Sequence, residues 1–302
     1  MKMTLKKLTE MIAEGRGIGV GDKYQPWEQI TRRRGSPFSN LNLTPVPHLV
    51  RLAHFLSRGE REFGFLLWWL GVEDLREQYP LWPWPHRQPV SQVDPESGGV
   101  TTHPGMAEVA GEAGIKLGKY PGLAVPVVLS LDLLATVPPD IGPHRLVGFS
   151  CKPKALFHAW APDDRLRERL ELDRRYCVTA EIPHRLIHPE QIPRTLIVQL
   201  HWLAPIVPFA AISKLLASHT YQAFLDRIKT SAYALPASNA ASEAARRLGL
   251  SEQDAQQMLR IAIWYQHVDA DPTRPISMTR PLRPGGLAIR EQLRTEFFGR
   301  SL

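Results

Sequence analysis

Apolar residues along the first two thirds of the chain alternate between helical spacing and continuous strand-like runs. Leu5, Leu8, Met11 and Ile12 recur at a helical interval and predict a helix over Lys2 to Ala13. The glycine run from Gly15 to Gly21 breaks it, and Tyr24 to Trp27 and Arg32 to Ser36 continue as loop. A second helical segment is expected between Val50 and Leu70, stopped by Gly71. Val72 to Pro80 leads into a short strand, residues 82–104 read as loop, and Met106 to Ala113 reads as a short helix. Two apolar runs, Val125 to Thr136 and Leu146 to Cys151, are the clearest strands. A helix dense in charge, Arg165 to Tyr176, and a strand and turn, Pro183 to Ile192, follow them.

The pattern changes after about residue 195. Leu196 to Leu203 and Ile212 to Ile228 are helical, and Ser231 to Asn239, small and polar, reads as a linker. Ser242 to Ser251 reads as helix, glycine turn and N-cap, with Ser251 and Asp254 close to a capping box. Ala255, Met258, Leu259 and Ala262 line one face of the helix beyond. These elements predict an α/β (α+β) fold in two domains: a mixed-sheet core over 1–195 and a mainly helical unit over 196–302.

Composition narrows the class. With 302 residues, 43% hydrophobic and 22% charged, the chain can bury a substantial core. No apolar run is long enough to span a membrane, and no apolar segment follows the basic N-terminus as in a secretory signal. Two cysteines, Cys151 and Cys177, are too few for a disulfide framework or a cysteine-rich zinc site. A reducing, cytosolic setting is expected.

The net charge of +7 is uneven: residues 1–51 hold nine basic and four acidic side chains, residues 272–302 six and two, and the middle is nearly neutral. Basic ends on such a body suggest a polyanionic partner, or simply a basic surface kept for solubility.

The candidate chemistry lies on the two clear strands. Asp132 sits on one and Lys152 follows the other, in Ser150-Cys151-Lys152-Pro153. Alternation along a strand sends Ser150 and Lys152 one way and Phe149 and Cys151 the other. A carboxylate and a lysine on neighbouring strands are the skeleton of a metal-dependent nuclease, with Glu60 as a further carboxylate from the preceding helix. Phosphodiester cleavage needs an activated water and charge neutralisation, which Mg²⁺ held by carboxylates and a nearby lysine can supply. Read alone, the spacing favours a surface ion pair at strand ends.

The motifs, taken in order, resemble the TnsA family, the endonuclease subunits of Tn7-like cut-and-paste transposons. Those that carry the resemblance are Glu14-Gly15-Arg16-Gly17-Ile18-Gly19, Tyr24-Gln25-Pro26-Trp27, and Asp74-Leu75-Arg76-Glu77-Gln78-Tyr79-Pro80-Leu81. Val128 to Asp132, Ser150 to Pro153, Leu170 to Tyr176, Ile182-Pro183 and Trp202-Leu203 follow in the family's sequence. The resemblance implies a restriction-endonuclease-like core, followed by a winged-helix-like domain. It implies cleavage of the 5′ strands of double-stranded DNA at transposon ends. It further implies Mg²⁺, with Mn²⁺ as a substitute, and as partners the DDE transposase TnsB and the AAA+ regulator TnsC, in a prokaryotic cytosol.

The family's catalytic positions fall on Glu60, fourteen residues before Asp74, with Glu62 as runner-up, and on Asp132 and Lys152. Ser150 stands where relatives often carry glutamine or a carboxylate. Ser150, or the Cys151 carbonyl in its place, is therefore expected to complete the metal contacts. A non-catalytic DNA-bridging subunit and a stand-alone restriction-like nuclease are the competing readings.

The remaining candidates are weaker. Arg16 and the Arg32-Arg33-Arg34 run are expected phosphate contacts, against a flexible turn and a solvated patch. Arg76 and Glu77 suit a structural ion pair near the site. Glu168 and Glu171 suit a solvated helix face, with Glu171 also within possible reach of the lysine. Gln256, Gln257 and Arg260 suit DNA contact through the second helix of the 242–267 pair, or a docking surface for a partner protein. His184 and His188, flanked by Pro183 and Pro189, are not expected to bind zinc.

Overall fold

A computed structural model describes residues 3–30, 42–45, 50–94, 102–142, 145–157, 164–205 and 209–299. Arg32, Arg33 and Arg34 lie outside the described residues.

Helix α1 (Leu5–Ala13) is capped by Thr4, whose hydroxyl accepts the Lys7 N–H. Two short strands, β1 (Asn42–Pro45) and β2 (Leu52–Phe55), pair antiparallel ahead of helix α2 (Arg58–Leu70). The helix expected from Val50 onward therefore starts only after Ser57. That residue is extended at φ −140° and caps α2 by accepting the Glu60 N–H. Upstream of it, Ala53 and Phe55 alternate into the core as a strand requires. α2 is buried along its whole second half, and Gly71, in the left-handed region at φ 95°, ends it.

The central sheet is built from β3 (Asp74–Leu81), β6 (Leu129–Thr136), β7 (Leu146–Cys151) and β8 (His184–Ile187), side by side in that order. β3, β6 and β7 run antiparallel, and β8 joins β7 in parallel, so the sheet is mixed. β3 is an edge strand, where Pro80 costs no ladder hydrogen bond to a further neighbour. The two-residue pair β4 (His86–Arg87) and β5 (Thr102–His103) lies in the long connection before helix α3 (Met106–Glu112). Helix α4 (Asp164–Thr179) separates β7 from β8. α2 covers one face of the sheet through Phe63, Leu75, Leu133 and Phe149. α3 and α4 cover the other through Tyr79, Val109, Leu131 and Tyr176.

Helices α5 (Arg194–Leu203), α6 (Phe209–Leu216), α7 (His219–Ala234), α8 (Ala237–Leu248), α9 (Glu252–Trp264) and α10 (Gly286–Phe298) complete the chain. The helix expected from Ile212 to Ile228 is two helices, because Ser218 caps α7 by accepting the Tyr221 N–H. The linker expected at Ser231 to Asn239 is not one. α7 runs to Ala234, α8 starts at Ala237, and only Leu235 and Pro236 separate them. Small alanines read as linker because they are not apolar enough to reveal a face, yet Ala232, Ala237, Ala240 and Ala241 are all buried.

Gly249 at φ 66° and the Ser251 cap place α8 and α9 as the sequence predicts. Among the described residues no strand follows β8, so helices alone stand where the resemblance implies a winged helix. The apolar core over α2 continues without a break into α5, α7, α8, α9 and α10. No helix among the described residues is long and apolar enough to cross a membrane.

Candidate nuclease site

The site forms where three elements meet: the first turn of α2, the middle of β6 and the end of β7. Register pairs Leu133 with Phe149, which puts Asp132 beside the last residues of β7. Oδ2 of Asp132 accepts the Cys151 N–H at 2.7 Å and the Lys152 ammonium at 2.6 Å. Lys152 lies one residue past the strand, and its N–H is fixed to the Ile187 carbonyl at 2.9 Å. The sequence-predicted pair is therefore an ion pair on neighbouring strands.

Glu60 is held by three donors to its carboxylate and by a cap on its own N–H. Its Oε2 accepts the Leu56 N–H at 2.9 Å and the Gln78 side-chain amide at 3.1 Å; its Oε1 accepts the Ser57 hydroxyl at 3.0 Å; its own N–H is capped by Ser57. This is a capping box drawn into the protein interior, since Glu60 is only 5% exposed. Burial pushes the Glu60 carboxyl up to about 7, with the nearby Asp132 charge adding to it and the hydrogen bonds to Leu56 and Ser57 opposing it. Glu62, the runner-up, is instead tied to Arg58 at 2.6 Å.

Lys152 keeps its proton. Burial alone would lower its pKa, but the Asp132 charge and hydrogen bond, with Glu60 and Asp173 behind them, outweigh burial and raise it.

Ser150 is fully buried and turned toward α4. Its hydroxyl meets Asp173 Oδ2 at 3.0 Å and His184 Nε2 at 2.9 Å. Phe149 and Cys151 face the opposite core, as alternation predicts. The Cys151 thiol is buried there and pushed well above its ordinary pKa by desolvation, so only its backbone takes part in the site. The α4 carboxylate nearest the lysine is Asp173, which burial raises to about 6 despite its Arg169 partner. Glu171 does not reach the lysine: it pairs with Arg174 and Arg175 on the surface, because Glu171 and Asp173 lie on different sides of the helix. His184, lowered to about 4 by burial, is neutral.

Arg76 and Glu77 do not pair with each other. Neighbours on a strand point to opposite faces. Arg76 turns to Gln92 at 2.9 Å and to Asp74 at 3.8 Å, whereas Glu77 bonds Arg51 at 2.7 Å and the His54 N–H at 3.0 Å.

The expected nucleic-acid contacts divide. Arg16 is bound to Glu14 at 2.9 Å, and its glycine run wraps β3. The Gly21 N–H binds the Asp74 carboxylate at 3.0 Å, and a Cβ on Gly17 would sit 2.1 Å from Pro80. Arg260 is committed inward, donating to the Trp202 carbonyl and lying 5.1 Å over the Trp202 ring. Gln257 is exposed on α9.

A cleft of about 700 Å³ opens on this site, with Glu60, Lys152, Arg58 and Arg194 at its polar edge and Ile197 and Pro189 at its apolar wall. Sequence reasoning missed Gln78. The one available signal was its place in the Asp74–Leu81 motif, which no fold requirement explained.

No protein-family model matches the chain. It is 30% identical over 213 residues to the transposon Tn7 transposition protein TnsA of Escherichia coli, an overlap covering 70% of this chain and 67% of that protein. The chain belongs to the TnsA family.

The raised Glu60 carboxyl has a measurable consequence. A carboxyl whose folded pKa exceeds its unfolded value contributes stability below the unfolded value, near 4.5, and loses it as pH rises through the folded value, near 7. Without metal, stability should fall by up to about 3 kcal/mol between pH 4.5 and 7.5 from this group. Urea melts across that range should show the slope in the native protein and a much flatter one in Glu60→Gln.

Proposed function

We propose that this chain is the Mg²⁺-dependent DNA endonuclease subunit of a transposase. On this reading it hydrolyses the 5′ strands at transposon ends, together with the DDE transposase TnsB and the AAA+ regulator TnsC. The observation that carries this reading is the convergence of Glu60, Asp132 and Lys152 in a TnsA-family chain, with Glu60 and Lys152 lining a cleft.

The donor set fits a hard divalent cation. Two buried carboxylates whose charges oppose each other are relieved by one, and both are oxygen donors of the type that Mg²⁺ prefers. Glu60 and Asp132 would hold it; the Ser150 hydroxyl, already bound to Asp173 and His184, supports β7 instead. When bound, Mg²⁺ supplies Lewis-acid activation of the attacking water and neutralises charge on the phosphate.

The chain's own part is positioning and electrostatics. Asp132 fixes Lys152 against the cleft, and the permanently charged ammonium donates to a phosphate oxygen and offsets its developing charge. Lys152, paired with Asp132, would position or activate the water.

The test is strand-specific cleavage of transposon-end DNA with partners added one at a time. Nicks confined to the 5′ strands should appear when the transposase is present with Mg²⁺, vanish on chelation with EDTA, and return with Mg²⁺ or Mn²⁺. Cleavage by the chain alone, unaltered by the transposase, would point to a stand-alone nuclease. Assembly on DNA with no nick under any condition would point to a bridging subunit.

A further inference from the structure

Gln78 is a non-glycine residue with φ 50°, inside a strand and almost fully buried. Left-handed backbone is uncommon for residues other than glycine, asparagine and aspartate, and is strained in a buried strand. A glycine here would relieve that strain. A glutamine that keeps it is best explained by what its side chain does.

Both ends of the amide are committed. Nε2 donates to Glu60 Oε2 at 3.1 Å, and Oε1 accepts the Ser130 hydroxyl at 2.8 Å. The backbone is held as well: the Gln78 carbonyl accepts the N–H of Trp27, a fully buried residue.

The strand changes face at this point. Leu75 packs with the α2 core, while Tyr79 and Leu81, an even number of residues further on, pack with the α4 core. Across the ladder, Leu133 and Leu131 divide in the same way, and the register on both sides places Gln78 opposite Asp132. A regular strand would keep such residues on one side. The left-handed residue is what lets β3 turn and aim an amide at the first turn of α2.

We propose that Gln78 is a positioning residue of the cleavage site: its strained backbone and Ser130-anchored amide hold the Glu60 carboxylate in the orientation that meets a divalent cation shared with Asp132. This rests on the nuclease reading above. Groups that orient a metal ligand change metal affinity or activity by about 10- to 100-fold when lost.

The informative variant is Gln78→Met, which keeps length and shape but removes both hydrogen bonds. Titration of the metal-free full-length protein with Mn²⁺ alone, followed by calorimetry, should show about tenfold weaker binding. The Mg²⁺ concentration giving half-maximal 5′-strand cleavage should rise by a similar factor. Ser130→Ala, which only frees the amide to rotate, should shift both quantities in the same direction by a smaller factor. Combined with Gln78→Met it should add little, since the two act through one contact.

Wild-type Mn²⁺ binding and Mg²⁺ dependence in Gln78→Met would overturn the proposal. If that variant does not fold, unchanged values in Ser130→Ala overturn it equally. Glu60→Gln separates the levels: if it cleaves at the native rate, the nuclease reading fails. If it is inactive while Gln78→Met is normal, only the positioning role fails.

Discussion

Asp132→Asn is expected to lower 5′-strand cleavage by about 10³-fold, equivalent to about 4 kcal/mol of barrier, while leaving DNA binding and assembly with partners intact. The substitution keeps the shape and one acceptor for the Cys151 N–H, so the β6–β7 junction is not broken. It removes the charge that opposes Glu60, that would share a cation, and that holds Lys152. Lys152 is 23% exposed and can turn to solvent, so the fold is spared the cost of a stranded buried ammonium. Lys152→Ala should lose about 10²-fold, and the double variant little more than Asp132→Asn alone, because the two residues act as a unit. Single-turnover cleavage, with gel-shift binding as control, measures all three. Retention of a tenth of the native rate in Asp132→Asn would remove Asp132 from the site.

Much of this site was legible because its members lie on the elements with the clearest pattern. Leu146 to Cys151 is a strand as read, and the apolar run before Thr136 contains the other. Asp132 and Lys152 then come side by side through the register that pairs Leu133 with Phe149. Glu60 was less visible. Its helix begins after a cap at Ser57 that the apolar pattern from Val50 concealed, and only the family resemblance singled it out from Glu62.

Contacts distant in sequence were not legible at all. Tyr24 donates to the Glu77 carbonyl, Trp27 binds Gln78, and Gly17 packs on Pro80, so the N-terminal glycine and aromatic motifs clamp the Asp74–Leu81 motif. The glycine run read as a flexible turn, with Arg16 as a candidate phosphate contact, because a local pattern does not show what packs on it. Here the backbone freedom serves close packing, with Gly17 at φ 77° against a proline ring. Arg260 is likewise held by a contact distant in sequence. A helix surface pattern places a side chain on a face, but not the Trp202 carbonyl that captures it.

Phe149→Ala is expected to destabilise the protein by about 3–5 kcal/mol, among the largest effects of any single truncation here. Its ring is fully buried and meets Phe63 of α2 edge-on at 5.0 Å, with Phe297 of α10 6.5 Å away. Phe297 in turn meets Phe63 at 5.2 Å. Three rings from β7, α2 and α10 thus share one cluster, and edge-to-face pairs add to their area term. α10 is further tied to α2 by Arg294, which donates to the Leu70 carbonyl at 2.8 Å, and by Arg290 over the Trp69 ring at 5.9 Å. Phe297→Ala should therefore lower the stability of the sheet as well, by about 2–4 kcal/mol. Ser150, Cys151 and Lys152 follow Phe149 directly, so loss of its packing loosens the strand end that presents the lysine. Urea unfolding followed by tryptophan fluorescence and by hydrogen exchange of the Cys151 N–H would separate the alternatives. If α10 were an appendage to the sheet, Phe297→Ala would leave that amide's protection at its native value while Phe149→Ala reduced it. A shared cluster requires both to fall.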